Sequence, residues 1–122
     1  MTEMTPSEVV RKLDSFFKRL KACLDDDYYE LYKRFDQREY SGVEDVVSRY
    51  IRMKDEWFDP SNLTILRRTF DSVGAFNREL NRRLDNRARL KVIIEEWRTF
   101  VHSFPGGYWD METLVRKHEK RR

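Results

Sequence analysis

A chain of 122 residues with 39% hydrophobic and 14% aromatic content is long enough to bury a core without disulfides, and its aromatics exclude the composition of a disordered segment. Four glycines and three prolines argue against a loop-rich all-β fold, the lone Cys23 cannot form an internal disulfide, and no apolar run approaches the roughly 18 residues of a membrane span. The net charge of +3 conceals a division: residues 1–61 hold eleven Lys/Arg against fourteen Asp/Glu, whereas residues 62–122 hold fourteen against eight.

The predicted elements begin at Thr5-Pro6-Ser7-Glu8, which places an N-cap, a proline at N1 and a glutamate at N3 as a capping box requires. Val9, Leu13, Phe16, Phe17, Leu20 and Leu24 then recur at three- and four-residue steps, the spacing of one apolar helical face, with Cys23 a reduced, buried or partly buried thiol. Asp25, Asp26 and Asp27 interrupt that face and are read as caps for a second helix bearing Tyr28, Leu31, Tyr32 and Phe35. Ser41-Gly42-Val43-Glu44 reads as another capping box, before Val46, Val47, Tyr50 and Ile51. Asp59 or Ser61 is expected to cap a helix with Leu63, Leu66 and Phe70, ended by Gly74.

Phe76, Leu80 and Leu84 continue at four-residue spacing, with Asp85 or Asn86 expected to separate them from the most apolar helix, Leu90 to Val101. Pro105-Gly106-Gly107 breaks the chain, and Asp110 is the expected cap of a last short helix. The pattern predicts an all-α compact bundle of six or seven helices without a strand. Residues 5–104 form the expected helical interaction domain, and residues 105–122 a C-terminal helix and basic tail packed on it.

Residues with recognised chemistry are sparse. One cysteine and two histidines cannot supply an ordinary zinc site, so no metal or cofactor is expected. His102 reads as a core-edge residue and His118 as a solvated one. Acids near Cys23 oppose a thiolate nucleophile, Glu95-Glu96 reads as a solvated pair, and no glycine-rich phosphate loop is present. These observations favour a non-enzymatic role.

The charged segments carry more. Arg78, Arg82, Arg83, Arg87, Arg89 and Lys91 crowd into one helical stretch, where Arg78, Arg82 and Arg89 fall along one side and Arg83 and Arg87 form a neighbouring pair. Guanidinium groups suit forked bonds to carboxylate or phosphate. These six cations, with Asp25, Asp26, Asp27, Tyr28 and Tyr29, are the candidate protein-binding residues; Trp57 is a further aromatic candidate with a competing core role. The expected partner is another protein or a second copy, engaged through charged faces. A nucleic-acid-binding module using Arg78–Lys91 and a structural or regulatory subunit are the alternatives. No signal peptide begins at Met1 and no transmembrane association is expected, so the expected location is cytoplasmic.

The helix order over Val9–Phe104 resembles the death-fold superfamily, particularly its death effector branch. Val10-Arg11-Lys12-Leu13-Asp14-Ser15-Phe16-Phe17 is similar to the first helix, Asp25–Tyr32 to the acidic entry into the second, and Asn62–Phe70 to the fourth. The resemblance implies a six-helix adaptor that assembles through complementary charged surfaces. Arg87-Ala88-Arg89-Leu90 stands where that branch carries Arg-any-Asp-Leu, and the segment after Pro105 extends beyond six helices.

Overall fold

The capping box at Thr5 closes as expected. Thr5 Oγ1 accepts the Glu8 N–H at 3.3 Å, and the Glu8 carboxylate accepts the Thr5 N–H at 3.3 Å. This end starts α1 (Pro6–Cys23), which buries Val9, Leu13, Phe16, Leu20 and Cys23 on one face. The computed structural model describes residues 4–24 and 29–120. Within them α1 is followed by α2 (Tyr29–Asp36), α3 (Tyr40–Trp57), α4 (Pro60–Arg67), α5 (Val73–His102) and α6 (Tyr108–Lys120), a compact bundle of six helices with no strand among the described residues.

Helix α1 packs against α5 and α6, and α3 packs against α2 and α5. Antiparallel α3 and α5 are held in register at two levels: Arg98 Nε lies 2.7 Å from Glu44, and Arg87 Nε lies 2.7 Å from Asp55. Between the helices, Leu13, Phe16 and Leu20 meet Leu31, Val43, Val47, Leu90, Trp97, Val101 and Met111. Phe16 presents its edge to Trp97 at 5.5 Å and 74°, a favoured aromatic arrangement. This core lies between α1, α2, α3, α6 and the C-terminal half of α5, and α4 contributes no buried residue.

Several expected boundaries move. The breaks read at Gly74 and at Asp85 or Asn86 are absent, because Val73–His102 is one helix of 30 residues. Ser72 Oγ accepts the Ala75 N–H at 3.0 Å, so Gly74 lies in the first turn of α5, and the preceding helix has already ended at Arg67. Asp85 is accommodated by Arg89 one turn later, 3.1 Å away, and no glycine or proline follows Gly74 within α5. The box read at Ser41 is displaced too. The chain leaves α2 through Arg38 at φ 58° and enters α3 at Tyr40, with Glu39 in the N-cap position but making no side-chain cap bond. Burying Tyr40 edge-on to Phe35 at 5.8 Å sets that earlier start.

At α4, Asp59 is the N-cap residue without a side-chain cap bond; Asn62 Nδ2 instead donates to the Glu56 carbonyl at 2.7 Å. Asp110 lies inside the first turn of α6 and accepts the Gly106 N–H at 2.7 Å. A Cβ on Gly106 would stand 2.5 Å from that carboxylate and push the Asp110 side chain aside, and Gly107 turns the chain at φ 59°. The histidine expectations are exchanged: His102 is exposed and His118 is half-buried beside Val10 and Tyr40. The expected capping by Asp25–Asp27 and the place of Tyr28 lie outside the described residues.

Candidate functional site

The first buried residue of α5 is Leu90. Its preceding half, Val73–Arg89, carries five arginines against Glu79 and Asp85 and runs past the end of α1, whose last residues, Ala22 and Cys23, reach Ala88 and Arg89. Together with α4 and the end of α3, this half forms a spur on the core. Residues 60–91 hold eight Lys/Arg against three Asp/Glu, a net charge more positive than that of the whole chain.

The cations divide between two flanks of the spur, as their helical spacing requires. On the α3 side, the Arg83 guanidinium lies 4.5 Å from the Trp57 ring centre and Arg87 lies 5.1 Å from Phe58. Arg67 from α4 lies 5.9 Å from Phe76, which stacks on Trp57 at 6.3 Å and meets Phe70 edge-on at 5.6 Å. All four rings are half-buried. Trp57 therefore has a packing role, and the cation–π contacts provide attraction where an apolar core is missing. On the other flank, Arg78, Arg82 and Arg89 are exposed.

Local carboxylates steer these cations. Glu79 accepts from Arg82 at 2.7 Å and from Arg83 at 2.6 Å, and these partners, Arg82 foremost, hold its carboxyl at about 2. Asp55 faces Arg87 and, at 3.8 Å, Lys91. The described acids of residues 30–45 face elsewhere: Glu30 pairs with Arg49, Glu39 with Arg34 and Glu44 with Arg98. These three acids thus pair with arginines outside the Arg78–Lys91 run. Tyr29 stands 74% exposed at the start of α2; Asp25, Asp26, Asp27 and Tyr28 lie outside the described residues.

Sequence reading missed two arrangements. Asp55 reaches the arginine run only because α3 and α5 pair in this register, which local spacing does not encode. The second is a half-buried network in which Trp97 Nε1–H donates to the Tyr108 hydroxyl at 3.2 Å, Tyr108 donates to Glu44 at 2.8 Å, and Arg98 donates to the other Glu44 oxygen. Burial opposes ionisation of Glu44, but the bonds from Arg98 and Tyr108 outweigh it and lower its carboxyl below the ordinary value. Burial likewise pushes the Tyr108 hydroxyl up to about 12. The network ties α3, α5 and α6 together at the core end.

The described residues contain no group of three or more His, Cys, Asp or Glu arranged to hold a metal, and none of their helices is long and apolar enough to cross a membrane. The chain matches no family model, no curated protein and no solved structure. It is a small all-helical domain with surface salt bridges and exposed charged residues, net positive over residues 60–91.

Proposed function

We propose that the chain is a non-catalytic protein-interaction or adaptor module that works in the cytoplasm and docks an acidic protein surface on the spur. Arg78, Arg82 and Arg89 are the leading contacts, with Lys91, Arg83 and Arg87 extending the positive field and Tyr29 as a separate exposed aromatic. The observation that carries this reading is the absence of any buried residue in the half of α5 that holds five arginines. Core packing alone does not account for its length. Exposed ion pairs contribute only about 0–1 kcal/mol, so the Asp85–Arg89 contact can yield to carboxylates of a partner that present a better fork. The death-effector resemblance points to the same class of work, assembly through charged helical surfaces.

A fluorescent polyglutamate peptide tests the surface directly. Wild type should bind it at low salt, and an R78E/R82E/R89E variant with unchanged helical circular dichroism should bind at least ~10-fold more weakly. Equal binding by both proteins would remove the arginine flank from the reading. Selective binding to mixed-sequence RNA, falling steeply with added salt, would replace it with a nucleic-acid function.

A further inference from the structure

Away from the spur, α1, α6 and the turn between α2 and α3 enclose a pocket of about 250 Å³. Val10, Leu13, Phe35 and Val115 give it an apolar floor, and Asp14, Asp36, Arg38, His118 and Glu119 carry its polar groups. Asp14 lies nine residues before Cys23, so the pocket stands about 14 Å along α1 from the neighbourhood of Arg89.

Tyr40 is the unusual member of this pocket. It is only 3% exposed, and its ring is held by Phe35 at 5.8 Å and Trp97 at 6.4 Å, yet its hydroxyl makes no hydrogen bond among the described residues. No described side-chain oxygen that is fully closed off from solvent lacks a partner, so the little of Tyr40 that remains accessible includes its hydroxyl, opening into the pocket. Arg38, Glu119 and Asp14 act electrostatically on that hydroxyl, which places it among the polar groups of the pocket. Burial pushes it up to about 12, so it stays protonated at neutral pH. A buried hydroxyl without a partner is costly to keep, and a phenylalanine would pack the same ring without it.

Charge selects what the hydroxyl can meet. Arg38 pairs with Glu119 and donates to the Asp36 carbonyl at 3.3 Å. The carboxylates of Asp14 and Asp36 have no ion pair or hydrogen bond among the described residues, so the pocket holds three carboxylates against one guanidinium, two of them unmatched. A fitting ligand is therefore cationic, donates hydrogen bonds and has an apolar part. A metal ion fails, because no described group of three or more His, Cys, Asp or Glu is arranged to hold one. A quaternary ammonium has no N–H for Tyr40. A primary ammonium has three donors pointing in different directions, which suits acceptors arriving from α1, α2 and α3 better than a planar fork does. The volume lies below the roughly 300–1,000 Å³ of drug-sized sites, so it suits one short chain.

We propose that this pocket binds a primary alkylammonium group, with Asp14 and Asp36 as its counter-charges, the Tyr40 hydroxyl as a neutral acceptor, and Leu13, Phe35 and Val115 against its stem. The site is independent of the arginine flank. A free amine and a lysine side chain carry the same chemistry, and the test separates them.

Titrating pentylamine into the nitrogen-15-labelled full chain at neutral pH and fixed ionic strength should shift the amides of Asp14, Asp36 and Tyr40 saturably. The expected dissociation constant is on the order of 1 mM, as suits so small a ligand. Pentanol, which has the stem without the charge, should not bind. D14N/D36N changes two exposed residues and should bind at least ~10-fold more weakly with unchanged helical circular dichroism. Tyr40→Phe should bind at least ~3-fold more weakly while its urea midpoint stays equal or rises, a combination that a purely structural tyrosine does not give. Replacing pentylamine with Nα-acetyl-lysine amide identifies the source: comparable binding assigns a lysine side chain, and binding of pentylamine alone assigns a free amine. No saturation by ~20 mM, equal shifts with pentanol, or full binding by D14N/D36N overturns the proposal. So does a lowered urea midpoint in Tyr40→Phe, which would show the hydroxyl already bonded within the fold.

Discussion

The two halves of α5 show how one helix can be held by different forces along its length. From Leu90 onward it buries Ile93, Ile94, Trp97 and Val101 against α1, α3 and α6, so removal of apolar surface from water dominates. Before Leu90 none of its residues is fully buried, and it is held by half-buried rings, by local ion pairs and by arginines lying over Trp57, Phe58 and Phe76. The first kind of contact is cooperative across the domain; the second is regional. Stability should therefore be graded along a single unbroken helix.

Breaking the core end should have the largest effect. Leu90→Ala is expected to destabilise the whole domain by about 2–5 kcal/mol in urea unfolding, because Leu90 is fully buried. Glu44→Ala comes next, at about 1–3 kcal/mol, since it leaves the Tyr108 hydroxyl and the Arg98 guanidinium without their shared acceptor. At the spur, Trp57→Ala should cost about 1–2 kcal/mol and act locally, raising hydrogen exchange in residues 60–86 while protection around Trp97 is retained. Equal loss of protection at both ends would abolish the distinction. Arg89→Ala should be the mildest, within about 0.5 kcal/mol, because its pair with Asp85 is exposed on both sides.

Acid separates the halves in another way. The Glu79 carboxyl is depressed to about 2, so the folded spur binds fewer protons there than the unfolded chain does. Its stabilising contribution is complete above the ordinary value of 4.5 and is lost as pH falls from there through about 2. Exchange in residues 76–86 should therefore rise over that interval relative to Glu79→Gln, in which this component is missing at every pH. Indistinguishable profiles for the two proteins would show that the arginine clasp on Glu79 does not stabilise the spur.

Much of the core end was legible. Thr5-Pro6-Ser7-Glu8 and the stripe from Val9 to Leu24 specify α1, because capping and burial act on residues three and four apart. The spur was harder to read. Phe76, Leu80 and Leu84 look like one apolar stripe, yet four-residue steps drift around the helix, so Phe76 and Leu80 are half-buried and Leu84 has rotated out to solvent. Asp85-Asn86 looked like a boundary because both residues favour helix ends, but the pairing of Asp85 with Arg89 and the hold of α3 on Arg87 carry the helix through. The arginines themselves were visible in sequence. Their division into a flank over aromatic rings and an open flank depends on which side α3 lies, and no local spacing contains that.

The unbroken course of α5 also has a mechanical consequence. Seventeen residues precede Leu90, so at 1.5 Å per residue this half of the helix extends about 25 Å from the core, braced on one side by Trp57 and Phe58 at the end of α3 and by Phe70, without a glycine or proline hinge after Gly74. A tilt of about 10° at Leu90 would move the tip by roughly 4 Å. A load applied near Arg78 is therefore shared between the ring contacts of Phe76 with Trp57 and Phe70 and the packing around Leu90 and Trp97.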